Sequence, residues 1–250
     1  MNTPWDPDIE KMNLTAVERN GLQIFRNYSR AIEENRRDRL VQKLDEGTID
    51  LSEFERFASV VSSEPALSVA VVACAYADEL MKEMFKREIP ASVPGGRNEL
   101  LSGFGPLSRL SQRVQIAYAF GWMSADILVE LDHLRKIRND ISHKWDLVML
   151  NSKLEQMVEQ KQLSIEAYLA DGVNLPSDFH LRLTPVGKFR VRVLWLIARV
   201  LYESHCYVHA VKQRIDPARA LYSEKPPRSL GEISGLCVRY TNEIVKNDAG

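Results

Sequence analysis

The segment LVELDHLRKIRNDISH, residues 128–143, decides how this chain is read. On a helical wheel with about 100° per residue and Leu128 at zero, Leu131, Leu134, Ile137 and Ile141 fall at roughly 300°, 240°, 180° and 220°. They form one apolar stripe, so the segment reads as an amphipathic helix. Arg138 falls at about 280°, inside the stripe, whereas Arg135 at about 340° lies on its edge and can snorkel to water. A guanidinium aimed at a core or an interface needs partners, because an unpaired buried charge is very costly. His143 follows Arg138 by about 140° around a straight helix. A compact Arg–His pair therefore needs a helix end or kink near 139–142, or a second chain. Asn139, Asp140 and Ser142 favour local bonding of side chain to backbone, which suits an irregular end. Two readings stay open from the residues alone. In one, Arg138 pairs with a buried carboxylate and His143 caps a helix end; in the other, the two form a site.

Working outward, nearly every long segment repeats the helical period. The run from Val17 to Leu44 carries apolar residues at Leu22, Phe25, Ile32, Leu40 and Leu44, and its charged middle, EENRRDR, reads as a solvated face. A short helix over 51–61 has Asp50 or Ser52 as its N-cap. Pro65 opens ALSVAVVACAYADELMKEMFKREI, the most apolar segment, whose small residues suit the centre of a bundle. Cys74 reads there as a small buried hydrophobe. Asp78, Glu79 and Glu83 on its polar side could bind a metal, but this helix carries no matching histidine. The loop 90–106, rich in Gly and Pro, reads as a connection between helices, since a phosphate cradle needs a preceding strand and a defined Gly spacing. The helix after it ends near Gly121, and Ser124 caps the next, with Asp126 favourable in its first turn. Residues 186–215 form a strong long helix, although FRVRVLW also alternates with period two, as an extended start would. A last helix is expected over ISGLCVRYTNEIVKN. The expectation is an all-α protein: a helical bundle with a core at 65–148, an N-terminal helical extension at 1–64 and a C-terminal helical region at 149–250.

Composition limits the function classes. The 250 residues carry a formal net charge of −1, so no global field draws the chain onto nucleic acid or an anionic membrane. Three scattered cysteines fit a reducing cytoplasm better than a disulfide framework. No apolar run reaches the roughly 18–20 residues of a membrane span, and the N-terminus lacks a secretory core. A cytoplasmic location is expected, with no membrane partner.

At this point three segments taken in order carry a resemblance. ALSVAVVACAYADELMKEMF, GFGPLSRLSQRVQIAYAFGWM and LDHLRKIRNDISH together resemble the mannitol operon repressor (MtlR) family, over roughly residues 66–146. The resemblance implies an all-helical bundle without a DNA-binding motif of its own, repressing transcription through partners. The Arg-x4-His spacing is also similar to the motif of HEPN domains, many of which are dimeric, metal-independent endoribonucleases acting as toxins or antiphage effectors. On that similarity, Arg138 would stabilise phosphate charge, Asn139 would occupy the polar position after it, and His143 would be general acid or base. Arg135 and Lys144 would add phosphate contacts, and a homodimer would bring two copies of the motif together.

Two other candidates come from the residues themselves. From Arg182 to Arg228 ten Lys/Arg face three acids, a balance of +7, with Trp195, Tyr202, Tyr207 and Tyr222 interleaved. Lys188, Arg190, Arg192 and Arg199 are therefore candidate RNA or DNA contacts; the alternative is the polar face of a core helix. His205 and His209, with Cys206 beside them, have zinc-ligand spacing but no second ligand pair. No metal and no cofactor is expected. The leading expectation is a dimeric, MtlR-like transcriptional regulator acting through a protein partner (a transcription factor or an antitoxin) or nucleic acid. The alternative is a HEPN-type endoribonuclease.

Overall fold

In the computed structural model, residues 4–46, 49–143, 183–206 and 228–248 are described, and everything among them with regular structure is helical. No described helix is long and apolar enough to cross a membrane. The chain divides into two compact units, Met1–Gly47 and Thr48–Gly250.

The first unit holds α1 (Pro7–Glu10) and α2 (Ala16–Glu46). A capping box starts α2: the Thr15 N–H donates to Glu18 Oε2 at 2.7 Å, and the Glu18 N–H donates to Thr15 Oγ1 at 3.3 Å. Arg26 and Arg30 on one face of α2 pair with Asp8 and Asp6 at 2.6 Å each. On another face Val17, Ile24, Phe25 and Tyr28 stand exposed to solvent.

The second unit contains α3 (Leu51–Ser63), α4 (Ala66–Glu88), α5 (Arg97–Leu101), α6 (Leu110–Ala119), α7 (Ala125–His143), α8 (Pro185–Cys206) and α9 (Arg228–Asp248). Asp50 caps α3 by accepting from the Ser52 N–H at 2.9 Å. Ala70, Ala73 and Ala77 lie fully buried along α4 and let α8 approach closely. Around most of its circumference α8 is apolar and buried, from Phe189 to Tyr202, and this makes it the central helix of the unit. It is helical from Pro185, so the alternation in FRVRVLW does not make an extended start. Thr184 caps it: Thr184 Oγ1 accepts from the Gly187 N–H at 3.2 Å and donates to Asp248 Oδ1 at 2.6 Å. A Cβ on Gly187 would meet Asp248 Oδ2 at 2.4 Å, so a larger residue there would push the carboxylate away from Thr184. Along α9, Ile233, Cys237, Tyr240 and Ile244 repeat at helical spacing and are buried.

These packings change the expected division of the chain. α3 packs on α4, α8 and α9, and so joins the core instead of an extension ending at residue 64. α8 packs on α4, so 65–148 and 149–250 are not separate bodies in the described residues. The polar segment 150–172, expected to be helical, and residues 174–182 of the loop or extended segment expected over 174–185 lie outside the described residues.

Candidate functional site

The helix that opened the sequence reading, α7, presents three different faces. The first meets α4. Leu131, Leu134 and Ile137 are buried there, and Arg138 is half-buried beside them. Arg138 reaches Cys74 of α4, a buried thiol. Burial pushes that thiol above its ordinary pKa, while the charge and hydrogen bond of Arg138 pull the other way. Cys74 is thus a buried hydrophobe with a cationic neighbour, which its apolar surroundings in the sequence did not announce.

The second face meets α8, and it is ionic. Arg192 donates to both oxygens of Glu130, at 3.0 and 2.8 Å, with both side chains almost fully buried. One turn nearer the start of α7, Arg199 pairs with Asp126 and, at 2.8 Å, with Glu203. The Glu203 carboxylate is fully buried and accepts from the Ser124 N–H at 3.0 Å and the Ser124 hydroxyl at 3.1 Å. A carboxylate at a helix N-terminus satisfies an orphan donor and complements the helix dipole. The pairings 126–199 and 130–192 run in opposite senses, so the two helices are antiparallel.

The third face of α7 meets the start of α6 across a cavity of about 340 Å³. Asp132 on this side holds both Arg135, at 2.7 Å, and Lys136, at 2.8 Å. Its carboxyl lies below the ordinary range: the Lys136 hydrogen bond lowers it most, partial burial opposes, and Arg135 adds to the lowering.

The residues proposed from sequence are therefore not one cluster. Helical structure continues through His143, with no break at 139–142, so positions 138 and 143 stay about 140° apart around the axis. Asn139 is half-buried; the side chain of His143 and all of Lys144 lie outside the described residues. The basic stretch of the C-terminal half is not an exposed patch where it is described. Arg192 and Arg199 point inward to carboxylates, for the reason just given. Arg190 donates to the carbonyls of Ser62, at 3.0 Å, and Glu64, at 2.8 Å, and so covers the end of α3. Lys188 is half-buried, and Trp195 is a core residue whose Nε1–H donates to Thr241 Oγ1 at 3.1 Å.

No family model matches the chain, and neither curated proteins nor solved structures give a match.

The carboxylates of α4 are likewise dispersed. Asp78 is bound by Arg113, and Glu83 by Lys86 at 2.5 Å. Among the described residues no group of three or more His, Cys, Asp or Glu could hold a metal ion. His205 bonds through Nδ1 to the Leu201 carbonyl at 2.8 Å, and burial, then the Arg87 charge, hold its pKa below the ordinary value. His209 and the Cys206 side chain lie outside the described residues.

Sequence reasoning passed over one residue that organises this region. Arg113 of α6 is almost fully buried, binds Asp78, and donates to the Leu107 carbonyl at 2.6 Å. It fastens the Gly-rich loop to α4. The available signal was its place beside Val114 and Ala117, two buried positions of the same helix.

Proposed function

We propose that the chain is a regulatory helical module of the mannitol operon repressor type, controlling transcription through a partner protein and acting as a dimer. The observation that carries this reading is how the described basic side chains are used. Arg190, Arg192 and Arg199 are all committed to carboxylates or carbonyls of the same chain. A phosphate-binding surface needs cations whose charge is available to release counterions, and these three have been given internal anions or helix-end carbonyls instead. The exposed apolar side chains of α2 support a protein partner, because contiguous apolar surface rimmed by polar residues marks association sites.

The second reading, a HEPN-type endoribonuclease, is favoured by one observation: Arg138, Asn139 and Asp140 remain half-exposed while Leu134 and Ile137 beside them are buried. Incubation of the purified chain with RNA in the presence of a chelator separates the two. The regulatory reading expects intact RNA, and expects Arg138→Ala to loosen the α4–α7 contact. Cleavage that disappears in His143→Ala, with the fold retained by circular dichroism, would overturn it in favour of the nuclease. Light scattering of the eluting peak tests the dimer, and a monomer at micromolar concentration counts against it.

A further inference from the structure

We infer that the cavity between α6 and α7 is a binding site for a small amphipathic monoanion, a carboxylate carried on an apolar body. Its volume, about 340 Å³, is at the small end of the roughly 300–1,000 Å³ usual for ligand pockets, and more than twice the roughly 150 Å³ of an engineered core cavity that admits benzene. Leu110, Val114, Leu128 and Leu131 line it. Val114 and Leu131 are buried, and Leu110 and Leu128 are half-buried, so apolar surface faces an unfilled space. An apolar group entering there removes this surface from water, which favours binding.

The polar side of the cavity sets the charge of the ligand. Arg135 and Lys136 carry two positive charges and Asp132 one negative, and His133 lines the same space. Arg135 and Lys136 against Asp132 leave a balance of +1, the complement of a single negative charge. Asp132 already holds the guanidinium and the ammonium beside each other, so their positions cost little further ordering when an anion arrives. A dianion would bring excess negative charge against Asp132. A purely inorganic anion would leave the leucine and valine walls unused. The site goes beyond the regulatory reading and does not depend on it, since binding is measured on the chain alone.

The test is calorimetric titration of the full chain with octanoate, octanamide, acetate and octyl phosphate. Octanoate is expected to bind saturably, octanamide about tenfold more weakly, and acetate not at all, as charge-assisted hydrogen bonds and apolar burial each supply part of the affinity. Octyl phosphate, a dianion in mildly alkaline buffer, is expected to bind more weakly than octanoate. Arg135→Gln should weaken octanoate about tenfold while leaving octanamide unchanged. Leu128→Trp should fill the cavity and abolish both. If Leu128→Trp fails to fold, the Arg135→Gln comparison decides alone, because that side chain is half-exposed. Absence of saturable octanoate binding, equal affinity for octanamide, tighter binding of octyl phosphate, or no effect of Arg135→Gln overturns the assignment.

Discussion

Replacing Arg192 by methionine puts the central claim about the basic stretch at risk. In the folded chain the guanidinium makes two hydrogen bonds to Glu130, and the two side chains are 4% and 2% exposed. Methionine fills much of the same volume but leaves a carboxylate buried without its cation. Removing one partner of a buried pair costs about 3–5 kcal/mol. For a unit of this size that is a drop in Tm of roughly 6–20 °C, at about 2–4 °C per kcal/mol. Replacing both partners, Arg192→Met with Glu130→Leu, removes the stranded charge, and such apolar exchanges are often neutral or stabilising by about 1–4 kcal/mol. The double variant should therefore recover most of what either single variant loses. Urea unfolding followed by circular dichroism on the four chains yields the coupling directly. A single-variant loss below about 1 kcal/mol would refute the buried-pair argument. So would an Arg192→Met chain of unchanged stability that binds RNA more weakly, with a salt slope reduced by about one, since that is the behaviour of a phosphate contact.

Gly105→Ala places a Cβ 2.0 Å from the Glu99 carbonyl oxygen, whereas Gly103→Ala meets nothing within 4 Å and bears only the strain of a φ of +58°. Thermal unfolding should show the first as the more destabilising, by about 1–3 kcal/mol, with faster proteolysis of the loop. Arg138→Ala removes a cation that favours the Cys74 thiolate, so the thiol pKa should rise further, and the midpoint of the pH dependence of peptide-mapped iodoacetamide labelling of Cys74 should move up whatever the change in access. His205 has its folded pKa depressed below 6.5, so on acidification the unfolded chain binds the extra proton and stability falls. Urea midpoints between about pH 7 and pH 5 should decline in the wild type, and less steeply in His205→Gln.

The helical class, the Asp50 cap, the opening of α4 after Pro65 and the end of α6 near Gly121 were legible because each depends on neighbours a few residues away. Gly121 does take a positive φ of 70°, as a helix terminator should. The partners of the arginines were not legible in the same way. Glu130 precedes Arg192 by 62 residues and Asp126 precedes Arg199 by 73, so no local spacing links them. A net balance of +7 counts charges without saying which way they point. One clue was present: VRVLWLIARVLY is apolar on every side, and an arginine within a helix buried all round must find an anion. The wheel set Arg138 among the stripe residues, because it needs only the period, and the side chain is half-buried beside Leu134 and Ile137. The irregular end expected near Asn139 did not form, since the helix continues through His143.

The two ionic contacts between α7 and α8 also work as a vernier. Sliding α8 by one turn, about four residues, would carry Arg192 from Glu130 to Asp126. The same slide would bring Arg199 opposite Trp122, an apolar residue buried in the native alignment, and would set the half-buried Lys188 against Glu130 in place of the two-bonded Arg192. Apolar residues at 130, 192 and 199 would impose no such penalty, because one apolar contact substitutes for another at little cost. The all-apolar helix pair would thus gain stability and lose its ruler, and its failures would be misaligned bundles rather than unfolded chains.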